Sequence, residues 1–78
     1  MEKKIINDIR NILKDDFHLH EASFSAESSF KNDFGLDSLD IVEITLKLED
    51  KYHVNVSDED AARIDTVQDM ANAIINRL

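Results

Sequence analysis

The sequence predicts a small all-α domain, a bundle of three main helices and one short helix with a long first loop. Apolar residues recur at helical spacing in three segments, which begin near residue 3, at Ser38 and at Val67. Proline is absent and Gly35 is the only glycine, so little in the chain interrupts a helix. A chain of 78 residues suffices for one hydrophobic core, and we expect residues 1–78 to form a single domain.

The first predicted helix covers residues 3–16 and carries one apolar stripe with charged side chains between its members. The stripe consists of Ile5, Ile6, Ile9, Ile12 and Leu13. This pattern is typical of an amphipathic helix that buries one side. We expect Phe17 to continue the stripe into the loop that follows.

The long first loop runs from His18 to Asp37, where no period is sustained and serine is frequent. A connection of this length is unusual in a small domain unless it is functional or fixed to the core. Phe24, Phe30 and Phe34 are large apolar residues, and we expect them to anchor the loop against the helices.

The second main helix is predicted from Ser38 to Tyr52, a stretch without proline or glycine. Asp37 and Ser38 are both favourable N-cap residues, and Asp40 adds negative charge to the first turn. Gly35 lies just ahead, where the backbone needs a conformation that other residues resist. These features place the Ser38 hydroxyl group at the exposed start of a helix.

Two apolar clusters lie on nearly opposite sides of this helix when residues are placed about 100° apart. The larger cluster is assigned to the core and contains Ile41, Ile44, Thr45, Leu48 and Tyr52. The smaller cluster contains Leu39, Val42 and Leu46 and is bordered by Glu43, Glu49 and Asp50. Because a helix on a small bundle buries one side, we expect Leu39 and Leu46 to be exposed, with Val42 at the boundary. An exposed apolar stripe edged by carboxylates is typical of a docking face; the alternative is a bundle that buries both sides.

The segment after the second helix is predicted to be an extended loop followed by a short helix. Val54 and Val56 alternate as in a strand, but no neighbouring segment offers a partner strand. Ser57 is a natural N-cap, and acidic residues in the first turn favour a helix from Asp58 to about Ala62.

The last main helix is predicted over Val67–Arg77, with Thr66 as its N-cap and Asp69 placed as in a capping box. Its buried side is assigned to Val67, Met70, Ala71, Ile74 and Leu78, with Ile75 at the edge.

The net charge is −8, and its uneven distribution restricts the partners. Residues 33–60 carry nine acidic and two basic residues, whereas the flanking segments are nearly balanced. Nucleic-acid phosphates require the opposite sign, so no nucleic acid is expected, whereas a basic protein surface would be attracted. No apolar run is long enough to span a membrane, so we expect no membrane insertion and a cytoplasmic location, in the cytosol or an organelle matrix.

Neither catalysis nor metal binding is predicted for the residues around Ser38. A serine nucleophile needs a general base, but Ser38 has carboxylates on both sides and no histidine nearby in the sequence. Asp33, Asp37 and Asp40 lack the spacing of a calcium-binding loop. The chain has no cysteine, so it supplies no thiol of its own. The histidines lack ligand spacing and are predicted to lie in loops: His18, His20 and His53.

The stretch Gly35-Leu36-Asp37-Ser38-Leu39-Asp40 resembles the attachment motif of acyl carrier proteins, in which an Asp-Ser-Leu core presents the modified serine. The tripeptide alone occurs by chance in many proteins, but here the resemblance extends from about Ser28 to the C-terminus. Phe34 and Leu46 stand where leucine and methionine are commoner in that family. Many fatty-acid carriers also have a proline before the acids that follow Val56. None of these departures touches the attachment motif.

The resemblance implies that a phosphopantetheinyl transferase attaches 4′-phosphopantetheine from coenzyme A to Ser38, within a motif that includes Asp37 and Leu39. The terminal thiol of this arm would hold acyl intermediates as thioesters, so the chain would be a monomeric carrier and not an enzyme. Its implied partners are acyl-transfer, condensing and reducing enzymes with basic docking surfaces, which in this family recognise the helix after the serine. The docking residues would be Leu39, Asp40, Val42, Glu43, Leu46 and Asp50.

The resemblance leaves the pathway open. An aspartate before Ser38 and acidic residues after it resemble fatty-acid or polyketide carriers more than peptide-synthetase carriers, and the length favours a free-standing fatty-acid carrier. A carrier dedicated to a polyketide, another lipid or D-alanine is an alternative. So is an unmodified acidic adaptor that binds partners through Leu39 and Leu46.

Overall fold

The computed structural model describes residues 1–19 and 24–78, and the helices of this part of the chain form an all-α bundle. In chain order they are α1 (Glu2–Asp16), α2 (Ser38–Tyr52), α3 (Asp58–Ala62) and α4 (Val67–Ile75). The described residues contain no strand, although Ser29 and Thr66 form an isolated antiparallel bridge. The predicted fold class, with three main helices, one short helix and a long first loop, is confirmed.

Side-chain caps fix the starts of α3 and α4 at the predicted residues. Ser57 Oγ accepts the Asp60 N–H at 3.1 Å. Thr66 Oγ1 accepts the Asp69 N–H at 3.1 Å, and the Asp69 carboxylate accepts the Thr66 N–H at 3.0 Å. These bonds satisfy N–H groups that have no partner within the helix, so each helix begins at a defined residue.

The predicted end of the last helix is wrong by two residues. α4 ends at Ile75, and the chain then forms a turn through Arg77, whose guanidinium group lies 2.8 Å from the Asp60 carboxylate. The predicted burial of Leu78 is also wrong, since this side chain is 57% exposed. Both errors arise because the prediction continues the helical spacing beyond the last turn of α4. Past that turn, the spacing no longer determines which way a side chain points.

Apolar side chains from α1, α2 and α4 form one core. The buried members are Ile5, Ile9 and Leu13 of α1, Ile41, Ile44 and Leu48 of α2, Val67, Met70, Ala71 and Ile74 of α4, and Phe30 and Ile64 outside them. Complete burial of one such large side chain contributes about 1.5–3 kcal/mol relative to exposure. The predicted buried sides of the three main helices are confirmed for most of their residues, but Ile6, Ile12 and Tyr52 are only partly buried and Leu78 is exposed.

The described part of the long first loop is fixed to the core, as its phenylalanines predict. Phe30 is fully buried, and its N–H donates to the Asp65 carbonyl oxygen at 2.9 Å. The Ser29 hydroxyl group donates to the Asp65 carboxylate at 2.8 Å. Phe24 and Phe34 are partly buried and stack with ring centroids 6.1 Å apart. Apolar anchoring is therefore supplemented by hydrogen bonds to the segment just before α4.

Two of the predicted loop histidines lie just beyond helix ends, His53 directly after α2 and His18 two residues after α1. His18 and His53 both have a positive φ, 56° and 57°, and His53 ends α2 as a left-handed C-cap whose N–H donates to the Glu49 carbonyl oxygen. This conformation closes a helix, although glycine adopts it at lower cost. His20 lies outside the described residues. Val54 and Val56 are partly buried and belong to no strand, as predicted.

Truncation of a leucine should affect stability differently on the two sides of α2. Leu48→Ala should lower the free energy of unfolding by about 2–5 kcal/mol, because Leu48 is fully buried and its truncation leaves a cavity. Leu46→Ala should change it by less than about 0.5 kcal/mol, since Leu46 is 58% exposed. Urea unfolding of both variants would measure the difference. Equal losses would mean that both sides of α2 contribute to the core.

Candidate functional site

The backbone turns at Gly35 immediately before α2. Gly35 has a φ of +68°, whereas a Cβ atom added there would meet no described atom within 4 Å. The glycine is therefore required by backbone conformation and not by lack of space. The N–H of Leu36 donates to the Phe30 carbonyl oxygen at 3.0 Å, which ties the segment leading into α2 to the buried anchor of the first loop.

Asp37, and not Ser38, caps α2. The Asp37 carboxylate accepts the Asp40 N–H at 2.9 Å, and the Asp40 carboxylate accepts the Asp37 N–H at 3.2 Å. Ser38 is thus the first helical residue; it is exposed, and its hydroxyl group forms no hydrogen bond within the described parts of the chain. The serine is held in place by its neighbours while its own oxygen faces solvent.

An apolar stripe with acidic borders continues from Ser38 along the exposed side of α2. Leu39 is 77%, Val42 45% and Leu46 58% exposed, so the expected exposure is confirmed and includes Val42. Glu43 and Asp50 are also exposed, whereas Asp40 is half-buried and engaged in the capping box. We call the surface formed by Leu39, Val42, Glu43, Leu46 and Asp50 the α2 face.

A shallow depression lies where the α2 face meets the end of the helix. Its volume is about 400 Å³, and it is lined by Leu46, Glu49, Asp50, His53, Val54 and Asn55. Its lining includes the apolar side chains of Leu46 and Val54 and the carboxylates of Glu49 and Asp50, a combination suited to a side chain that is apolar along its length and positively charged at its tip.

The lysines of α2 lie on the flank of the helix that is nearest α1, where they form ion pairs with α1. Lys47 Nζ lies 3.0 Å from the Asp16 carboxylate, and Lys51 Nζ lies 3.0 Å from the Asp8 carboxylate. The hydrogen bond with Asp16 and the attraction of its charge raise the pKa of Lys47 above its ordinary value, and Glu43 adds to this effect. Sequence analysis missed these pairs because they join different helices.

Asp8 is a buried carboxylate that holds the last turn of α2 against α1. It is 8% exposed and accepts hydrogen bonds from Lys51 Nζ and from the Tyr52 hydroxyl group. Burial alone raises the pKa of Asp8, but the hydrogen bonds and the nearby lysines lower it below its ordinary value overall. Burial and the Asp8 carboxylate together raise the pKa of Tyr52 to about 12. The one feature of the sequence that indicates this network is that Asp8 is an acidic residue at the edge of the apolar stripe of α1.

The described residues offer no other chemistry around Ser38. In this part of the chain, no group of three or more histidine, cysteine or acidic side chains is arranged to hold a metal ion. None of the described helices has the length and apolar character needed to cross a membrane. Ser38 is therefore an exposed hydroxyl group beside an exposed apolar stripe with acidic borders, without a described base to activate it.

Comparison with known proteins agrees with this geometry. The sequence profile of the family described as the phosphopantetheine attachment site matches residues 7–74. The crystal structure of an acyl carrier protein from Thermotoga maritima superimposes with a TM-score of 0.87 at 25% sequence identity, covering 97% of this chain and 88% of that one. The chain belongs to the phosphopantetheine attachment family, and the resemblance to acyl carrier proteins is confirmed.

Membership of this family defines the general biochemistry. The covalent prosthetic group is 4′-phosphopantetheine, and the chain is a carrier protein and not an enzyme. A phosphopantetheinyl transferase and acyl-handling enzymes are its general classes of partner.

The Asp8 network makes a testable contribution to stability. Because its pKa is lowered on folding, Asp8 stabilises the protein above its unfolded pKa of about 4, and this contribution is lost as the pH falls through the folded value. Asp8→Asn should cost about 1.5–3 kcal/mol at neutral pH and flatten the loss of stability below about pH 4. Urea unfolding at a series of pH values would measure both effects.

Asp15→Asn is the matched control, because Asp15 is exposed and forms no ion pair within the described chain. Tyr52 is the only tyrosine, so an ultraviolet titration reports it directly. Its phenol should titrate near pH 12 in the natural protein and closer to its ordinary value in Asp8→Asn. Identical phenol titration in the two proteins would contradict the role of Asp8.

Proposed function

We propose that Ser38 is the residue that carries the 4′-phosphopantetheine arm. The main support for this proposal comes from the start of α2. Asp37 caps the helix, whereas the Ser38 hydroxyl group is exposed. A serine that also capped the helix would be modified on the same oxygen that accepts the capping hydrogen bond. Here attachment leaves both hydrogen bonds of the capping box in place.

The surroundings of Ser38 fit a phosphodiester. The first N–H groups of a helix carry partial positive charge, which favours a phosphate on the first helical residue. Ser38 projects from a rigid helix start, held by the Asp37 cap and by the buried Phe30 through Leu36. Leu39, 77% exposed beside it, offers an apolar contact for the arm or for a partner enzyme.

Attachment uses chemistry that the partner enzyme supplies. Ser38 Oγ forms a bond to the phosphorus of coenzyme A that bears pantetheine, and the bond from that phosphorus to the adenosine bisphosphate leaving group breaks. The hydroxyl proton passes to a base of the transferase. The transferase also supplies most of the ligands of the magnesium ion. Once attached, the arm supplies the thiol that holds acyl groups as thioesters.

The α2 face is the surface that we assign to these partners. Its exposed leucines would fill an apolar pocket on the partner, while Glu43, Asp50 and the half-buried Asp40 would attract a basic rim. The net charge of −8 supports a basic partner. The depression at the end of α2 extends this surface and could receive a lysine or arginine side chain.

The pathway that we favour is fatty acid biosynthesis, in the cytoplasm and with the chain acting as one carrier domain. Asp37 before the serine and acidic residues after it support a fatty-acid or polyketide carrier. The similar protein from Thermotoga maritima is described only as an acyl carrier protein. Leu46 and the Val56-Ser57 segment depart from common fatty-acid carriers, and a specialised carrier is therefore the second candidate.

Modification of Ser38 can be tested by intact mass. Incubation with coenzyme A, magnesium and a broad-specificity phosphopantetheinyl transferase should add one phosphopantetheine to the natural protein and none to Ser38→Ala. Ser25→Ala is a suitable control, because Ser25 is an exposed serine outside the motif. An unchanged mass of the natural protein would favour the unmodified acidic adaptor instead.

Charge reversal and truncation should affect docking differently. Glu43→Lys should slow association with a basic partner and flatten its salt dependence, because the attraction between exposed charges guides the encounter. Leu46→Ala should mainly speed dissociation, since it removes a short-range apolar contact. Stopped-flow binding to the transferase would separate the two rates.

Glu27→Lys provides the control for Glu43→Lys, because it makes the same change of net charge at an exposed position outside α2. Equal slowing by the two reversals would mean that total charge, and not the α2 face, guides association.

A further inference from the structure

Both lysines of α2 form ion pairs with α1 and none with α2 itself in the described structure. The carboxylates of Asp16 and Asp8 each lie 3.0 Å from a lysine nitrogen. Lys47 and Lys51 are also the only lysine or arginine residues between positions 33 and 60. The positive charge of the acidic segment is therefore held on the flank of α2 that faces α1.

Lys47 has two other carboxylates within its reach. Glu43 lies four residues before it and Asp50 three residues after it, offsets of about 40° and 60° around the helix. Side chains at these spacings form pairs on helix surfaces, and glutamate four residues before lysine is the favourable order. Glu43 is close enough to contribute to the raised pKa of Lys47. Local helix geometry alone would thus direct Lys47 towards the α2 face.

The structure contains the competing pair instead. Lys47 contacts Asp16, and within the described residues neither Glu43 nor Asp50 forms an ion pair. We propose that Asp16 is a positioning residue for partner recognition: by holding Lys47 against α1, it leaves the Glu43 and Asp50 carboxylates available to a basic partner. This inference rests on the proposed function of the α2 face.

The ion pair between Lys47 and Asp16 is partly exposed, and a substitution of Asp16 alone would break it. The side chains of Lys47 and Asp16 are 44% and 40% exposed, so their attraction is partly screened by water. Loss of Asp16 should therefore leave the fold intact and release Lys47 to its neighbours on α2. A lysine paired with Glu43 or Asp50 would neutralise one docking carboxylate and place a positive charge at the edge of the α2 face.

The test compares two substitutions that change the net charge equally. Asp16→Asn releases Lys47, whereas Asp15→Asn removes an adjacent exposed carboxylate that forms no ion pair with a described residue. The probe is a broad-specificity phosphopantetheinyl transferase with coenzyme A and magnesium, and the measured quantity is kcat/KM for gain of the arm. Asp16→Asn should lower kcat/KM by about threefold, mainly through KM, and Asp15→Asn should have less than half of that effect.

A second substitution separates released charge from lost charge. Lys47→Gln should raise kcat/KM only slightly in the natural protein. In the Asp16→Asn background, Lys47→Gln should raise kcat/KM by a larger factor, to at least the value for Asp15→Asn. The reason is that Lys47, the residue responsible for the loss, is then absent. Matching thermal melts of the natural protein and its four variants would show that the fold is unchanged.

The outcomes distinguish this inference from the proposed function. Equal losses in Asp16→Asn and Asp15→Asn, or the same gain from Lys47→Gln in both backgrounds, would overturn the role of Asp16 while Ser38 remains the modified residue. Failure of the natural protein and every variant to gain the arm would overturn the proposed function and this inference with it.

Discussion

A helix in a bundle of this size can bury only one of its sides, and α2 carries apolar residues on two. Ile44 and Leu48 are fully buried, whereas Leu39 on the nearly opposite side is 77% exposed. Burial of a leucine would contribute about 1.5–3 kcal/mol to the free energy of unfolding. The exposed leucines of α2 do not make this contribution. The core is completed by α1, α4 and Phe30. The exposed side of α2 is consequently a surface whose sequence is not dictated by packing.

The start of α2 separates structural from chemical roles among adjacent residues. Asp37 and Asp40 satisfy backbone N–H groups at 2.9 and 3.2 Å, and Gly35 supplies the left-handed backbone that precedes them. Ser38 is thereby placed without being used as a cap. Attachment of the arm at this oxygen, as proposed, would add bulk and negative charge outside the bundle, at the helix end where negative charge is favoured.

Polar contacts between α1 and α2 complement this arrangement at the other end of the helix. Asp8 is nearly enclosed and would be costly without partners, but Tyr52 and Lys51 in the last turn of α2 supply them. These contacts hold the C-terminal half of α2 while the cap and the segment through Leu36 hold its start. The same flank of α1 pairs with Lys51 and, through Asp16, with Lys47, so contacts between the two helices involve both lysines of the acidic segment.

The sequence by itself determined the features that depend on local chemistry. The caps at Ser57 and Thr66, the buried and exposed sides of α2 and the motif around Ser38 all follow from residue types at fixed short spacings. For α2 the sequence offered both Asp37 and Ser38 as caps, and the structure uses Asp37. Only the tertiary structure decided which distant groups meet. Tyr52 and Asp8 are 44 positions apart, Ser29 and Asp65 are 36 apart, and Lys47 pairs across helices although Glu43 lies at the favourable spacing along its own. Pairings of this kind depend on how the helices are packed, because a charged side chain near several acceptors bonds to the one that the neighbouring helix brings within reach.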